Sequence, residues 1–202
     1  MQFRLLRFMA RPGCLLILIA LLGGACSSVN TRFYLLNPVR NGEPASASEQ
    51  AIVVEISRLQ LPQYLERPQI VSRRSDNRLV LAEFSQWAGN LRKNMMRVMA
   101  ENLSRQLATP MIAIAPDHAV SAPDARIELE IMQFERLASG KVSLIARWRL
   151  FDKDDKLFRT HTSRLLSEPL AAAADYDATV STMSELLGEL SRNIATAILN
   201  QL

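Results

Sequence analysis

Gly23–Gly24–Ala25–Cys26–Ser27–Ser28 divides the chain and limits what can fold. Before it, Arg4, Arg7 and Arg11 form a positive segment, and residues 14–22 are an unbroken apolar run. That run is about half the roughly 20 residues a membrane-spanning helix requires. A basic start, a short apolar core and small residues before a cleavage point are the layout of a secretory signal peptide. Residues 1–25 are therefore expected to be removed, with Ala25 the last residue before cleavage. Only the remainder has to build a core.

Cys26, directly after the small residues, resembles the lipobox cysteine of bacterial lipoproteins, with Gly23 where that motif favours Leu or Val. The resemblance implies that Cys26 becomes the first mature residue and carries lipid; plain cleavage leaving a free thiol is the alternative. Cys14, the other cysteine, belongs to the removed segment, so Cys26 has no intramolecular disulfide partner. More than one acyl chain gives stable anchoring where a single chain does not. Residues 26–30 then form the lipidated cysteine and a tether. Four extended residues span at most about 14 Å, which keeps a folded body at residues 31–202 close to the membrane.

Removing Arg4, Arg7 and Arg11 lowers Lys plus Arg from 24 to 21 against 20 acidic residues, so the mature charge is +1. No concentrated basic surface is indicated, and no nucleic-acid partner is expected. The mature length suits one domain with a packed core.

Residues 31–36 read as a strand, 37–50 as a loop and 51–56 as a β-branched strand. Residues 61–68, with Pro62 and Pro68, read as an irregular loop. Residues 69–74 and 78–84 form a hairpin across Ser75–Asp76–Asn77. Leu91, Met95, Val98, Met99 and Leu103 mark one face of a helix over residues 90–107. That methionine-bearing stripe is read as core rather than a ligand surface. Residues 111–115 are a short strand. Residues 124–137, 141–151 and 157–166 alternate as an antiparallel meander, with a bulge at Met132–Phe134 where the parity shifts. Asp175 caps a last helix over residues 176–199, about 36 Å long, with Val180, Met183, Leu187, Leu190, Ile194 and Ile198 as its apolar stripe. The expected architecture is a single α+β domain: a mostly antiparallel sheet with two amphipathic helices on one face.

Catalytic chemistry finds no pattern to rest on. His118 and His161 are not at metal-ligand spacing, and no nucleophile elbow or phosphate loop occurs. Asp152, Asp154 and Asp155 lack the glycine and closing Glu of a calcium loop and read as a hairpin tip. No catalytic residue, metal or cofactor is expected. Arg73, Arg74 and Arg78, and separately Arg147 and Arg149, are either solubilising charges or contacts for anionic head groups or an acidic partner. The proline-bounded loop offers Tyr64, Leu65, Arg67 and Pro68 as candidate partner contacts, because prolines lower the entropy lost on binding. The alternative is that Tyr64 and Leu65 cap the core.

Three stretches in order carry a family resemblance: Thr-Arg-Phe-Tyr-Leu-Leu-Asn-Pro at 31–38; Tyr-Leu-Glu-Arg-Pro-Gln-Ile-Val at 64–71 with Gln86–Trp87–Ala88 downstream; and Arg-Val-Met-Ala-Glu-Asn-Leu-Ser-Arg-Gln-Leu at 97–107. Together they resemble the ABC-type transport auxiliary lipoprotein family. The chain departs from the family's frequent Arg-Trp-Ala-Glu-Pro-Leu, reading Gln86–Trp87–Ala88–Gly89–Asn90–Leu91. The resemblance implies a non-enzymatic, homo-oligomeric envelope lipoprotein working with an MCE-domain transport protein in lipid traffic between membranes. Ser27 after the cysteine agrees with outer-membrane sorting. A periplasmic lipid-binding carrier or chaperone is the alternative, and an envelope hydrolase ranks last.

Overall fold

The computed structural model describes residues 30–39, 52–118, 120–171 and 175–201. Within these, the strands are β1 (Arg32–Tyr34), β2 (Val54–Gln60), β3 (Gln69–Ser75), β4 (Arg78–Trp87), β5 (Ile112–Ile114), β6 (Ala125–Arg136), β7 (Val142–Asp152) and β8 (Leu157–Leu166). Helix α1 is Leu91–Gln106 and α2 is Tyr176–Leu199. The strands form one sheet in the order β1-β4-β3-β6-β2-β5, with β7 and β8 continuing from β6.

Its longest ladders are antiparallel. β6 and β7 pair from Ala125↔Asp152 to Arg136↔Val142, and β7 pairs onward with β8. The parity change in β6 is a bulge: register shifts between Ile131 and Gln133, and Met132 is left exposed. Gly140, at φ +83, turns β6 into β7 in the left-handed region that glycine occupies without strain. Parallel pairs also occur, between β1 and β4 and on both sides of β2 with β5 and β6. Their strands are joined through other elements. Local alternation reveals a strand but not such a distant neighbour.

Both helices cover one face. α2 lies on β6, β7 and β8, α1 lies on β2 and β5, and the two helices touch. Val142, Leu144, Ala146, Trp148 and Leu150 alternate toward α2 and are buried, as are all six residues of the α2 stripe. Trp148 satisfies its indole N–H by donating to Ser163 Oγ at 3.0 Å. The caps act as side-chain acceptors at the helix starts: Asn90 Oδ1 takes Lys93 N–H at 3.0 Å, and Asp175 Oδ1 takes Ala178 N–H at 2.9 Å. Asp177 sits in the first turn of α2, where the dipole favours an anion.

After β1 the chain leaves the sheet and runs against both helices as a strap. Its backbone polar groups have no ladder and need other partners. Asn94 of α1 supplies two, accepting from Leu36 N–H at 2.8 Å and donating to Leu36 C=O at 3.1 Å. Asn102, two turns along, accepts from Val39 N–H at 3.0 Å, and Arg105 Nη1 donates to Val39 C=O at 2.9 Å. From α2, Ser184 Oγ accepts from Asn37 N–H at 3.2 Å. The helix stripe read from sequence held the apolar residues only. Asn94 and Asn102 are buried too, and they hold the strap.

Gly188 of α2 makes room for Val39: a Cβ there would lie 2.5 Å from Val39 Cγ2. Elsewhere in a helix, Gly→Ala gains up to about 1 kcal/mol. Here the clash wins, and Gly188→Ala is expected to destabilise by about 1–2 kcal/mol in urea unfolding. Val39→Ala added to it removes the Cγ2 conflict and recovers part of the loss.

Candidate partner-contact site

Pro62 begins a single 3₁₀ turn, Gln63–Leu65, closed by Leu65 N–H to Pro62 C=O at 2.9 Å. The turn gives its side chains opposite duties. Leu65 enters the core at 3% exposure. Tyr64 donates its phenol O–H to Glu135 Oε2 at 2.7 Å. Arg67 and Pro68 face solvent. Pro68 C=O accepts from Trp87 N–H at 2.7 Å, which fastens the end of the loop to β4.

Glu135 on β6 is wholly buried and receives four donors. Arg73 Nε lies 2.7 Å from Oε1, Gln133 Nε2 lies 3.1 Å from Oε1, and Phe134 N–H reaches Oε2 at 3.1 Å, in addition to Tyr64. A buried carboxylate is tolerated when its lone pairs are met this way. Burial, then the hydrogen bond and charge of Glu135, push the Tyr64 phenol well above its ordinary range. The Glu135 hydrogen bond likewise raises Arg73. Arg73 thus faces inward, whereas Arg74 and Arg78 beside it at the hairpin tip are exposed.

The outward half of the loop forms one wall of a cavity of about 350 Å³. Leu61, Arg67 and Pro68 face Trp87, Asn90 and Leu91 across it. Glu66 pairs with Arg92 in the first turn of α1 and bridges the two walls. The two halves of the central motif read in sequence, 64–71 and 86–91, therefore meet at one groove. Sequence placed Tyr64, Leu65, Arg67 and Pro68 together; the structure separates them into an inward pair and an outward pair. It adds Trp87, which the motif contained, and Arg92, one residue beyond it; neither carried a contact signal of its own.

The other candidate groups do not converge. Arg149 Nη2 meets Glu128 at 2.7 Å, Arg147 meets Glu130 at 3.4 Å, and Arg126 pairs with Glu128 and Asp155. The Arg147–Arg149 face is therefore a mixed ionic lattice rather than a basic patch. Asp152 Oδ1 accepts from Asp154 and Lys156 N–H, both at 2.9 Å, as a turn. His161 packs against Trp148 with the rings tilted at 53° and their centroids 5.3 Å apart, and His118 is exposed. Among the described residues, no cluster of His, Cys, Asp or Glu is arranged to hold a metal ion, and no helix is long and apolar enough to cross a membrane. Ala25 and Cys26 lie outside the described residues.

The family model for the ABC-type transport auxiliary lipoprotein component matches residues 34–195. The chain belongs to that family. This auxiliary lipoprotein is 26% identical over 191 residues to the intermembrane transport lipoprotein PqiC of Escherichia coli K12, covering 91% of this chain and 96% of the relative. PqiC of Shigella flexneri matches equally. Its fold is shared with a crystal structure of an uncharacterized protein (TM-score 0.68, 21% identity, 84% of this chain and 99% of that one). Protein XCC0632 from Xanthomonas campestris has the same fold at TM-score 0.61 and 10% identity, over 82% of this chain and 90% of its own.

Replacing Glu135 by Gln turns an acceptor-only group into one that points an amide donor at a donor. Glu135→Gln is expected to cost about 2–3 kcal/mol in urea unfolding, with faster proteolysis within residues 61–68. The raised Tyr64 sets an alkaline limit. Its folded pKa exceeds its unfolded value of 10.0, so the folded state holds a proton that the unfolded state releases. That contribution is complete below the unfolded pKa and declines as pH rises above it. Tyr64→Phe should make the fall in unfolding midpoint between about pH 9 and 11 shallower; the residual slope includes Tyr176, which burial also raises.

Proposed function

We propose that this auxiliary lipoprotein is a docking component of an MCE-type intermembrane lipid transport system. Acyl chains on Cys26 hold it to the periplasmic face of the outer membrane. Copies of the chain associate with one another, and the groove at Arg67 and Pro68 receives the transport protein. The observation carrying this reading is the convergence of both halves of the family's central motif on one exposed groove, whose inner side is locked by Glu135. A preformed groove loses little entropy when it is filled. The relative's name, intermembrane transport lipoprotein, supports the system. Ser27 supports outer-membrane sorting.

The carrier reading asks for an enclosed apolar void. A cavity of about 490 Å³ lies between the strap and α2, but it opens to solvent and polar side chains such as Asn37, Ser181 and Ser184 line it, so it is not an enclosed apolar void.

Extraction of the tagged, lipidated chain in mild detergent, with mass spectrometry and native mass, tests the proposal. The expected result is a multimeric bait with an MCE-domain protein in stoichiometric amount. A monomeric bait carrying phospholipid and no protein would overturn it in favour of the carrier. Cys26→Ser should release the chain from the membrane fraction. Arg67→Glu, on an exposed residue, should reduce the co-purified partner several-fold with an unchanged melting temperature.

A further inference from the structure

Phe33 is 65% exposed, Leu35 46% and Phe84 40%; Leu81 and Val80 are 43% and 42% exposed. These five lie on, or one residue beyond, the paired strands β1 and β4. Tyr34 and Leu36 point into the core, so Phe33 and Leu35 share the opposite side. In the parallel register Phe33 stands beside Gln86 and Arg32 beside Ser85, the residue next to the exposed Phe84. β4 arches there: register with β3 passes from Gln69↔Gln86 to Val71↔Leu81, so one β3 residue opposes four on β4. The arch carries Phe84 outward. Apolar clustering of this kind on a surface marks a binding face.

The position of the anchor says what covers it. β1 begins at Arg32, six residue steps after Cys26. Six steps reach at most about 20 Å. The chain coming from the lipidated residue therefore arrives at the Ser85 end of the ladder, beside Phe84 and Phe33. We infer that Phe33, Leu35 and Phe84 form a membrane-contact face that sits in the interface of the bilayer to which Cys26 is anchored. The inference rests on the anchored-lipoprotein reading. Nearby charges are mixed: Arg32, Arg74 and Arg78 are set against Asp76, Glu83, Asp177 and Glu185. Such a surface suits zwitterionic head groups, with apolar side chains entering the head-group boundary rather than basic ones meeting anionic lipid.

The test uses the full lipidated chain in vesicles of phosphatidylethanolamine and phosphatidylcholine with brominated acyl chains. Phe33→Trp and Phe84→Trp place reporters on the face, and Thr160→Trp places one on an exposed strand position away from it. The chain's own Trp87 and Trp148 are buried and give a constant background. At positions 33 and 84, blue-shifted emission quenched by brominated lipid is expected, with position 160 quenched by aqueous iodide instead. Iodide quenching at 33 and 84 overturns the inference. Shielding from both quenchers also overturns it, and assigns the face to a second copy or a protein partner. Co-purification of the transport protein is a separate readout, so loss of the docking reading and loss of this one are distinguishable.

Discussion

A peptide segment held against two helices cannot leave its N–H and C=O groups bare. That constraint shapes the strap that follows β1. Once past Tyr34 the chain has no strand beside it, and each buried backbone group left unpaired would cost about 1–3 kcal/mol. Asn94 answers both polar groups of Leu36, Asn102 and Arg105 answer those of Val39, and Ser184 answers Asn37. The partners come from both helices. The strap therefore ties α1 to α2 as well as to β1, and Gly188 sets how closely it lies.

Glu135 does for the loop at residues 61–68 what Asn94 does for the strap. Its carboxylate gathers donors from the loop and β3, which adjoin in sequence, and from β6, some sixty residues further on. Tyr64 and Leu65 thereby become the root of the loop, and Arg67 and Pro68 its presented edge. The core and contact readings of this loop were competing options in the sequence. Geometrically they are two sides of one turn. A residue facing inward can still govern a contact by holding its neighbour in place.

What was legible in the sequence follows from the range of each signal. The stripes of α1 and α2, the cap Asp175, the alternation of β7 and the bulge near Met132 are local, and each occupies its expected position. β2 runs four residues beyond the expected 51–56, into a Ser-Arg-Leu-Gln stretch whose polar members hide its continuation. The parallel neighbours of β2, and the pairing of β1 with β4, depend on connections rather than alternation. The buried roles of Asn94, Asn102 and Glu135 were hidden for a further reason. A polar residue in an amphipathic pattern is read as solvent-facing, and only a distant backbone or side-chain partner reverses that reading. Arg147 and Arg149 show the reverse error of scale. As a pair on one strand they suggest a cationic surface, and only the cross-strand Glu128 and Glu130 reveal a balanced one.

The strap and the groove share one helix. Asn94, in the first turn of α1, grips Leu36, while Asn90, Leu91 and Arg92 at that same end line the groove or bridge its walls. β1 leads into the strap, and β4, its partner, ends at Trp87 in the groove wall. Among the described residues, packed secondary structure thus runs from β1 through β4 and α1 to the proposed contact site. In the proposed arrangement, a lipid anchor on Cys26, six residue steps before β1, would restrain where the body can be. The packed path from β1 through β4 and α1 would then restrain where the groove faces. A docking part at a membrane needs both restraints, because a partner approaching from one direction finds the site only if the body cannot roll away from it. The same path explains why the polar residues that hold the strap are worth burying. Their hydrogen bonds contribute little net stability individually, yet they connect β1 and the strap to the groove proposed to meet the partner.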